Sequence, residues 1–272
     1  MIDLPNEHLL LWSGLGSYFV AGVLAILGLI FQRFPARLVA LGLWSGLILH
    51  GASLGLRWER LGHGPFINLF EILSSNIWSF TLAFALFYWR LPRLRPGAVV
   101  ILPMIFVMMG WLLRVHPGDS TFPPTYDTYW LYIHIGLGKV AMGILLMAAG
   151  VATIITQRHM FGQQRLAMLP DNATLDEFGY RCVAVAFVFH TLMLLAGAIW
   201  AQDAWGRYWA WDPLETWTLH SWLLMALYLH LRPLFHPPPL VAALAIWVVF
   251  VAAFLVFFGV PFLSTSTHQG IV

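Results

Sequence analysis

Apolar residues in this chain come in eight long runs separated by short polar connectors, at approximately 9–31, 38–56, 66–89, 98–113, 131–156, 180–202, 217–232 and 240–262. A helix needs about 20 apolar residues to cross the ~30 Å of hydrocarbon in a bilayer. In lipid it also satisfies each backbone polar group within its own segment. The pattern therefore predicts an all-α integral membrane protein of about eight transmembrane helices, organised as one polytopic domain over 1–272. No low-complexity linker or internal repeat breaks it. Gly42 with Gly46, and Gly51 with Gly55, have the four-residue spacing that lets helix backbones approach closely.

Composition agrees with a lipid setting. The chain is 60% hydrophobic and 10% charged, whereas soluble domains carry roughly 25% charged residues, so a water-soluble globule is excluded. The basic residues sort by connector. One alternate set holds Arg33 and Arg37, then Arg90, Arg93 and Arg95, then Arg158, Arg165 and Arg181, then Arg232; the other holds Arg57, Arg60, Arg114 and Arg207. Lysine and arginine gather on the cytoplasmic side, which predicts that both termini and the connector after the sixth run face outward, toward a periplasm or its equivalent. Asp3 and Glu7 make the start of the chain acidic, unlike the basic n-region of a secretory signal. A pI of about 8.9 does not indicate nucleic acid, because the cations are scattered at helix ends. The single Cys182 lies within the sixth run, so the chain has no disulfide framework and no CxxC pair. Thiol chemistry, where needed, belongs to a partner.

The most specific segment is Trp205–Trp217, WGRYWAWDPLETW, within an external connector spanning 203–217. Tryptophan gathers at the interface of many membrane proteins, and one alone would mean little. Here Trp200, Trp205, Trp209, Trp211, Trp217 and Trp222 are six of fourteen tryptophans within 23 positions, and a lipid anchor has no use for Asp212, Pro213 and Glu215 among them. Stacked indoles would suit a flat, apolar, polarizable ligand. Gly206 and Pro213 let the backbone turn and approach it, and Arg207 can pair with an anionic substituent. Haem fits this description when imidazoles are available on the same side. His134, at the outer end of the fifth run, and His268, in the outer tail, meet that condition, and imidazole is a common axial ligand of haem iron.

The segment WGRYWAWDPLETW followed by TLHSWLLMALYLHLR resembles the WWD signature of the cytochrome c assembly family, most closely the CcsA/ResC branch of System II. RWERLGHGPFINLFE (Arg57 to Glu71), WLYIHIGLG (Trp130 to Gly138), LDEFGYR (Leu175 to Arg181) and THQG (Thr267 to Gly270) extend the likeness over most of the chain from Arg57 onward. The resemblance implies a haem-handling and export subunit of a cytochrome c synthase, or haem lyase. Such a subunit presents haem b at the outer membrane face for thioether attachment to apocytochrome c CxxCH motifs. It implies His134 and His268 as external iron ligands and Trp205, Trp209, Trp211 and Asp212 as the core of the platform, with Arg207 and Trp217 beside it. His230 becomes one iron ligand of an inner site, the second coming from a CcsB/ResB-type membrane partner. Thiol-reducing proteins for the apocytochrome are implied, in a bacterial cytoplasmic membrane with its active face to the periplasm, or in a thylakoid. Leu214 stands where this signature commonly has lysine, and Lys139 is unusual at its depth.

Other polar residues carry weaker expectations. His220 is read as a hydrogen bonder to Trp or a carbonyl that can assist the external site, His50 and His190 as interhelical hydrogen bonders, and His63 as part of an ordered loop with Asn68 and Glu71. His8, His116, His159 and His236 read as ordinary loop histidines. Lys139 is read equally as a cation for a haem propionate or as a snorkelling side chain. Arg57, Arg60 and Arg207 are the other external cations for propionates. Within the superfamily, a CcmC-like or HemX-like haem delivery protein without ligation activity is the alternative; a membrane cytochrome b is a more distant one, since Arg57, Glu59, Arg60 and Pro65 separate His50 from His63.

Overall fold

The computed structural model of the protein describes residues 4–162 and 166–260; Asp3, Arg165 and His268 lie outside them. Among the described residues the chain forms α1 (Leu4–Ile30), α2 (Ala36–Leu61), α3 (Leu69–Arg90), α4 (Ala98–Leu112), α5 (Tyr129–Phe161), α6 (Asn172–Trp205), α7 (Pro213–Phe235) and α8 (Pro239–Phe258), with short 3-10 segments at Pro92–Gly97 and Pro124–Tyr126. Each helix overlies one of the eight apolar runs. Seven are long and apolar enough to cross a membrane. The other, α7, carries Glu215, His220, His230 and Arg232 along its length.

Two helices are much longer than their apolar runs. At 1.5 Å per residue, the 33 residues of α5 and the 34 of α6 reach about 50 Å, well beyond ~30 Å of hydrocarbon. Side-chain caps start both helices in polar sequence. Thr128 accepts from the Trp130 amide at 3.1 Å, and Asp171 accepts from the Thr174 amide at 2.8 Å, a bond that also holds the Asp171 carboxyl below its ordinary range.

Helices α1–α4 form one compact unit and α5–α8 another. In the first, the glycine spacing does what it predicts at one pair. A Cβ on Gly46 would fall 2.4 Å from Tyr18, and one on Gly42 would fall 2.9 Å from the Ala21 Cβ. Those glycines let α1 and α2 meet backbone to backbone. Gly51 faces the Trp78 indole, while Gly55 faces open space, so the second pair is not a helix contact along its whole length. His50 joins α2 to α3 through Ser74 at 3.0 Å, as expected of an interhelical bonder.

The same unit buries a charge network. Arg57, only 2% exposed, donates to Glu7 at 2.9 Å, to Glu71 at 3.0 Å and to the Gly118 carbonyl. Arg60 donates to Glu7 at 3.0 Å and to Asp119 at 2.8 Å. Glu71 completes a capping box with Asn68 at the start of α3 and accepts from Ser120, and His63 bonds Gly64 and Ser120. Burying an ion costs several kcal/mol unless its hydrogen-bonding capacity is filled, and this cluster fills much of it. Arg57 and Arg60, expected as external cations for propionates, are thus engaged by carboxylates of this unit.

In the second unit Cys182 is a buried free thiol. The LDEFGYR stretch ties the start of α6 to the end of α7. Arg232 donates to Asp176 at 2.7 Å and to Glu177 at 3.2 Å, with its guanidinium over the Tyr180 ring at 4.4 Å.

Candidate functional site

The tryptophan segment is built from two helix ends and a seven-residue connector. Gly206 ends α6 in the left-handed region at φ 72°, and its amide donates to the Gln202 carbonyl at 2.9 Å. Glycine takes this conformation without a Cβ penalty. Asp212 begins α7 by accepting from the Glu215 amide at 2.8 Å, Pro213 sits at the first helical position, and Glu215 reaches back to the Ala210 amide at 2.7 Å. A missing proline N–H costs nothing there, and a carboxylate suits the helix N-terminus. The Asp-Pro-x-Glu pattern, which the sequence assigns to a ligand platform, thus has a complete local role as a helix start. Trp211 carries the strain of the connector, with φ at 59°, where a bulky side chain is rare.

The aromatic rings of this segment meet at steep angles. Trp200 and Trp205 meet at 4.8 Å and 63°, Trp209 and Trp211 at 5.8 Å and 83°, and Tyr126 abuts Trp200 at 5.2 Å and 82°. These are edge-to-face contacts, which the ring quadrupoles favour over a face-to-face sandwich. The expected stacked platform is replaced by a wedge of angled rings. Trp200 is buried, and Tyr208, Trp211 and Trp217 further along the segment are exposed, Trp211 at 70%. Burial pushes the Tyr126 phenol up. The Trp209 Nε1–H is buried without an acceptor among the described residues, and Arg207 is exposed and enters none of the ion pairs among them.

His134 on α5 is the imidazole this wedge holds. Its Nδ1 lies 2.9 Å from the Met193 carbonyl oxygen. A carbonyl only accepts, so Nδ1 carries the proton and the neutral ring keeps its lone pair on Nε2. The ring lies 6.0 Å from Trp200 at 23°. A Cβ on Gly197 would stand 2.6 Å from Nδ1, so that residue admits the ring against α6. Sequence reasoning found His134 but not the carbonyl, the glycine or Tyr126 around it.

Two further histidines lie toward opposite ends of α7. His220 donates from Nδ1 to the Thr216 carbonyl at 2.7 Å and lies 6.0 Å from Trp217, as expected of a carbonyl bonder. His230, near the other end, bonds the Ala226 carbonyl at 2.7 Å in the same way. Both are exposed. His190 approaches the Thr218 carbonyl at 3.4 Å and Ser221 at 3.3 Å. Lys139 is half-buried on α5. The structure therefore gathers Tyr126, Trp200, Trp205 and His134, and separately pairs Trp209 with Trp211 and Trp217 with His220.

Fold and site define a polytopic helical membrane protein bearing a tryptophan wedge and an oriented imidazole. The profile of the family described as "Cytochrome C assembly protein" matches residues 47–268, and the chain belongs to that family. It is 32% identical over 187 residues to "Cytochrome c biogenesis protein CcsA" of Chlamydomonas reinhardtii, covering 65% of this chain and 52% of that protein. The protein of the same name from Synechococcus sp. (strain CC9311) is 31% identical over 260 residues, covering 80% of this chain and 84% of the relative. The chain thus spans about half the length of the algal relative and most of the cyanobacterial one. Among solved structures, "Cytochrome c Heme Lyase CcmF" superposes with a TM-score of 0.72 at 18% identity, over 97% of this chain and 47% of that one. That likeness establishes a shared fold.

Proposed function

We propose that this chain is the haem-handling subunit of a cytochrome c synthase, working in a bacterial cytoplasmic membrane, with a thylakoid as the second setting, and with its tryptophan wedge facing outward. The observation that carries the reading is His134, whose proton is held on Nδ1 by a backbone carbonyl and whose plane lies along Trp200. Such an outer-sphere bond fixes tautomer and direction and raises ligand basicity. The CcsA-named relatives support cytochrome c biogenesis as the setting of this reading.

Haem b is the cargo. It enters through His230 and a second ligand from a CcsB/ResB-type partner, and is held outside by His134 and His268. Arg207 and the Trp209 N–H offer donors to its propionate carboxylates. Trp211 and Trp217 provide exposed faces for the macrocycle. When an apocytochrome CxxCH segment approaches, its histidine displaces one axial ligand and each cysteine S–H adds across a haem vinyl group, forming a thioether without net oxidation. Positioning the two thiols beside the vinyls supplies much of the acceleration, and separate proteins keep those thiols reduced.

The test is the absorption spectrum of the detergent-purified protein, co-expressed with its partner, as wild type, His134→Ala, His268→Ala and His230→Ala, each with and without imidazole. A bis-imidazole haem spectrum that the first two changes weaken and imidazole restores supports the reading. Wild type that binds no haem beside its partner overturns it.

A further inference from the structure

We propose that His220 is an additional, exchanging iron ligand, and that the exposed face of α7 is the path along which haem moves between the His230 end and the tryptophan wedge. The inference rests on the haem-handling reading above and extends it to a residue that reading does not use.

The exposed residues of α7 carry the argument. From Trp217 to Leu231 these are Trp217, His220, Leu223, Leu227, His230 and Leu231. At 3.6 residues per turn they fall within an arc of about 140°, while Thr218, Ser221, Met225 and Tyr228 are buried on the opposite side. A lipid-facing helix surface is normally all apolar, and an ionisable residue in such a segment points to function. Here the leucine strip contains two imidazoles about 15 Å apart along the axis. Each donates its Nδ1–H to the carbonyl four residues back, at 2.7 Å. Each neutral ring therefore keeps its lone pair on Nε2, the nitrogen away from its own helix backbone.

A flat apolar macrocycle whose iron accepts nitrogen lone pairs is the occupant that this strip fits. Its rim lies against Leu223 and Leu227, while its iron is passed from one imidazole to the next. The top of the path is continuous with the wedge through Trp217, whose ring stands 6.0 Å from that of His220. The step is a ligand exchange. The His230–iron bond breaks, the macrocycle advances about 15 Å along the leucines, and the His220 Nε2–iron bond then forms, each nitrogen keeping its own electron pair, with no proton or electron transferred.

The experiment uses the full chain with its membrane partner, purified in detergent. His220→Ala, His220→Gln and His220→Cys are made in the wild-type and His134→Ala backgrounds, and bound haem is read by absorption and electron paramagnetic resonance, with hemin and imidazole as probes. Blocking the outer site with His134→Ala is expected to leave haem held on α7. Adding His220→Ala or His220→Gln then lowers bound haem roughly ten-fold or more, the scale of losing a supported ligand, and imidazole restores it. His220→Cys gives a thiolate-ligated spectrum, which a packing role would not produce. The glutamine variant keeps a polar side chain and guards against simple misfolding. Unchanged haem content and spectra in all three His220 variants overturn the proposal, as does loss of the partner on His220 substitution with haem spectra intact. Wild type without haem overturns the functional reading itself, and this inference with it.

Discussion

Replacing Gly197 by alanine asks whether α6 sets the position of the His134 imidazole. The new Cβ would stand 2.6 Å from Nδ1 and 2.8 Å from Cε1 of the ring, where ordinary contact begins at 3.4 Å. The ring must therefore retreat by roughly 0.8 Å to leave the repulsive range. It has little freedom to do so while keeping its 2.9 Å bond to the Met193 carbonyl and its 23° alignment with Trp200. A working ligand has to be held within about 0.5 Å of its productive position, so the displacement is large on the scale that matters. The backbone effect has the opposite sign, because alanine in a helix interior is favoured over glycine by about 1 kcal/mol. Gly197→Ala is thus expected to hold or raise the thermal unfolding temperature while weakening haem binding about 10–100-fold, the usual cost of losing outer-sphere support. Hemin titration followed at the Soret band, beside thermal unfolding in the same detergent, separates the two effects. In the His134→Ala background the same change should do nothing further to haem binding. Wild-type haem affinity in Gly197→Ala would show that α6 does not orient this ligand, and would refute the reasoning.

Two further substitutions probe the connector. Asp212→Ala removes a helix cap worth about 1 kcal/mol, whereas Asp212→Ser keeps a capping oxygen. Stability and haem retention are both expected to recover in the serine variant; equal haem loss in both would assign the carboxylate to the cargo. Trp211→Gly relieves a left-handed φ that costs a bulky residue about 1–3 kcal/mol, so the unfolding temperature should rise while haem retention falls, and Trp211→Phe should retain haem. A glycine variant that is both more stable and fully haem-retaining would remove Trp211 from the site.

The helices were legible because apolar content repeats along a single dimension, and every run of adequate length became a helix. Their ends were not, since Thr128 and Asp171 start α5 and α6 in polar sequence that hydropathy alone discards. The fate of Arg57 was also hidden. Its partners Glu7 and Glu71 lie 50 and 14 positions away, and only packing decides whether a cation at a helix end faces a ligand or a carboxylate.

The site divides along the same line. Residue type and side of the membrane led to His134, but the features that make it a directed ligand come from α6: a carbonyl 59 positions away and a glycine whose value is the side chain it lacks. No periodicity reports either. The tryptophan segment shows the converse, since part of its signal was local all along. Asp212 caps the start of α7 and Glu215 reaches back to the Ala210 amide, so both carboxylates have a local role whatever they do for a ligand. Trp200 and Trp205 meet within α6, while the directions of Trp209 and Trp211 follow from a connector with left-handed backbone at Gly206 and Trp211. A helix start anchors the wedge on one side and a left-handed glycine on the other, so its exposed rings are positioned by backbone geometry, and the imidazole beside it is positioned by contact with a different helix. Those two supports are independent, which is why substitutions at Gly197 and Trp211 should alter haem binding by separable routes.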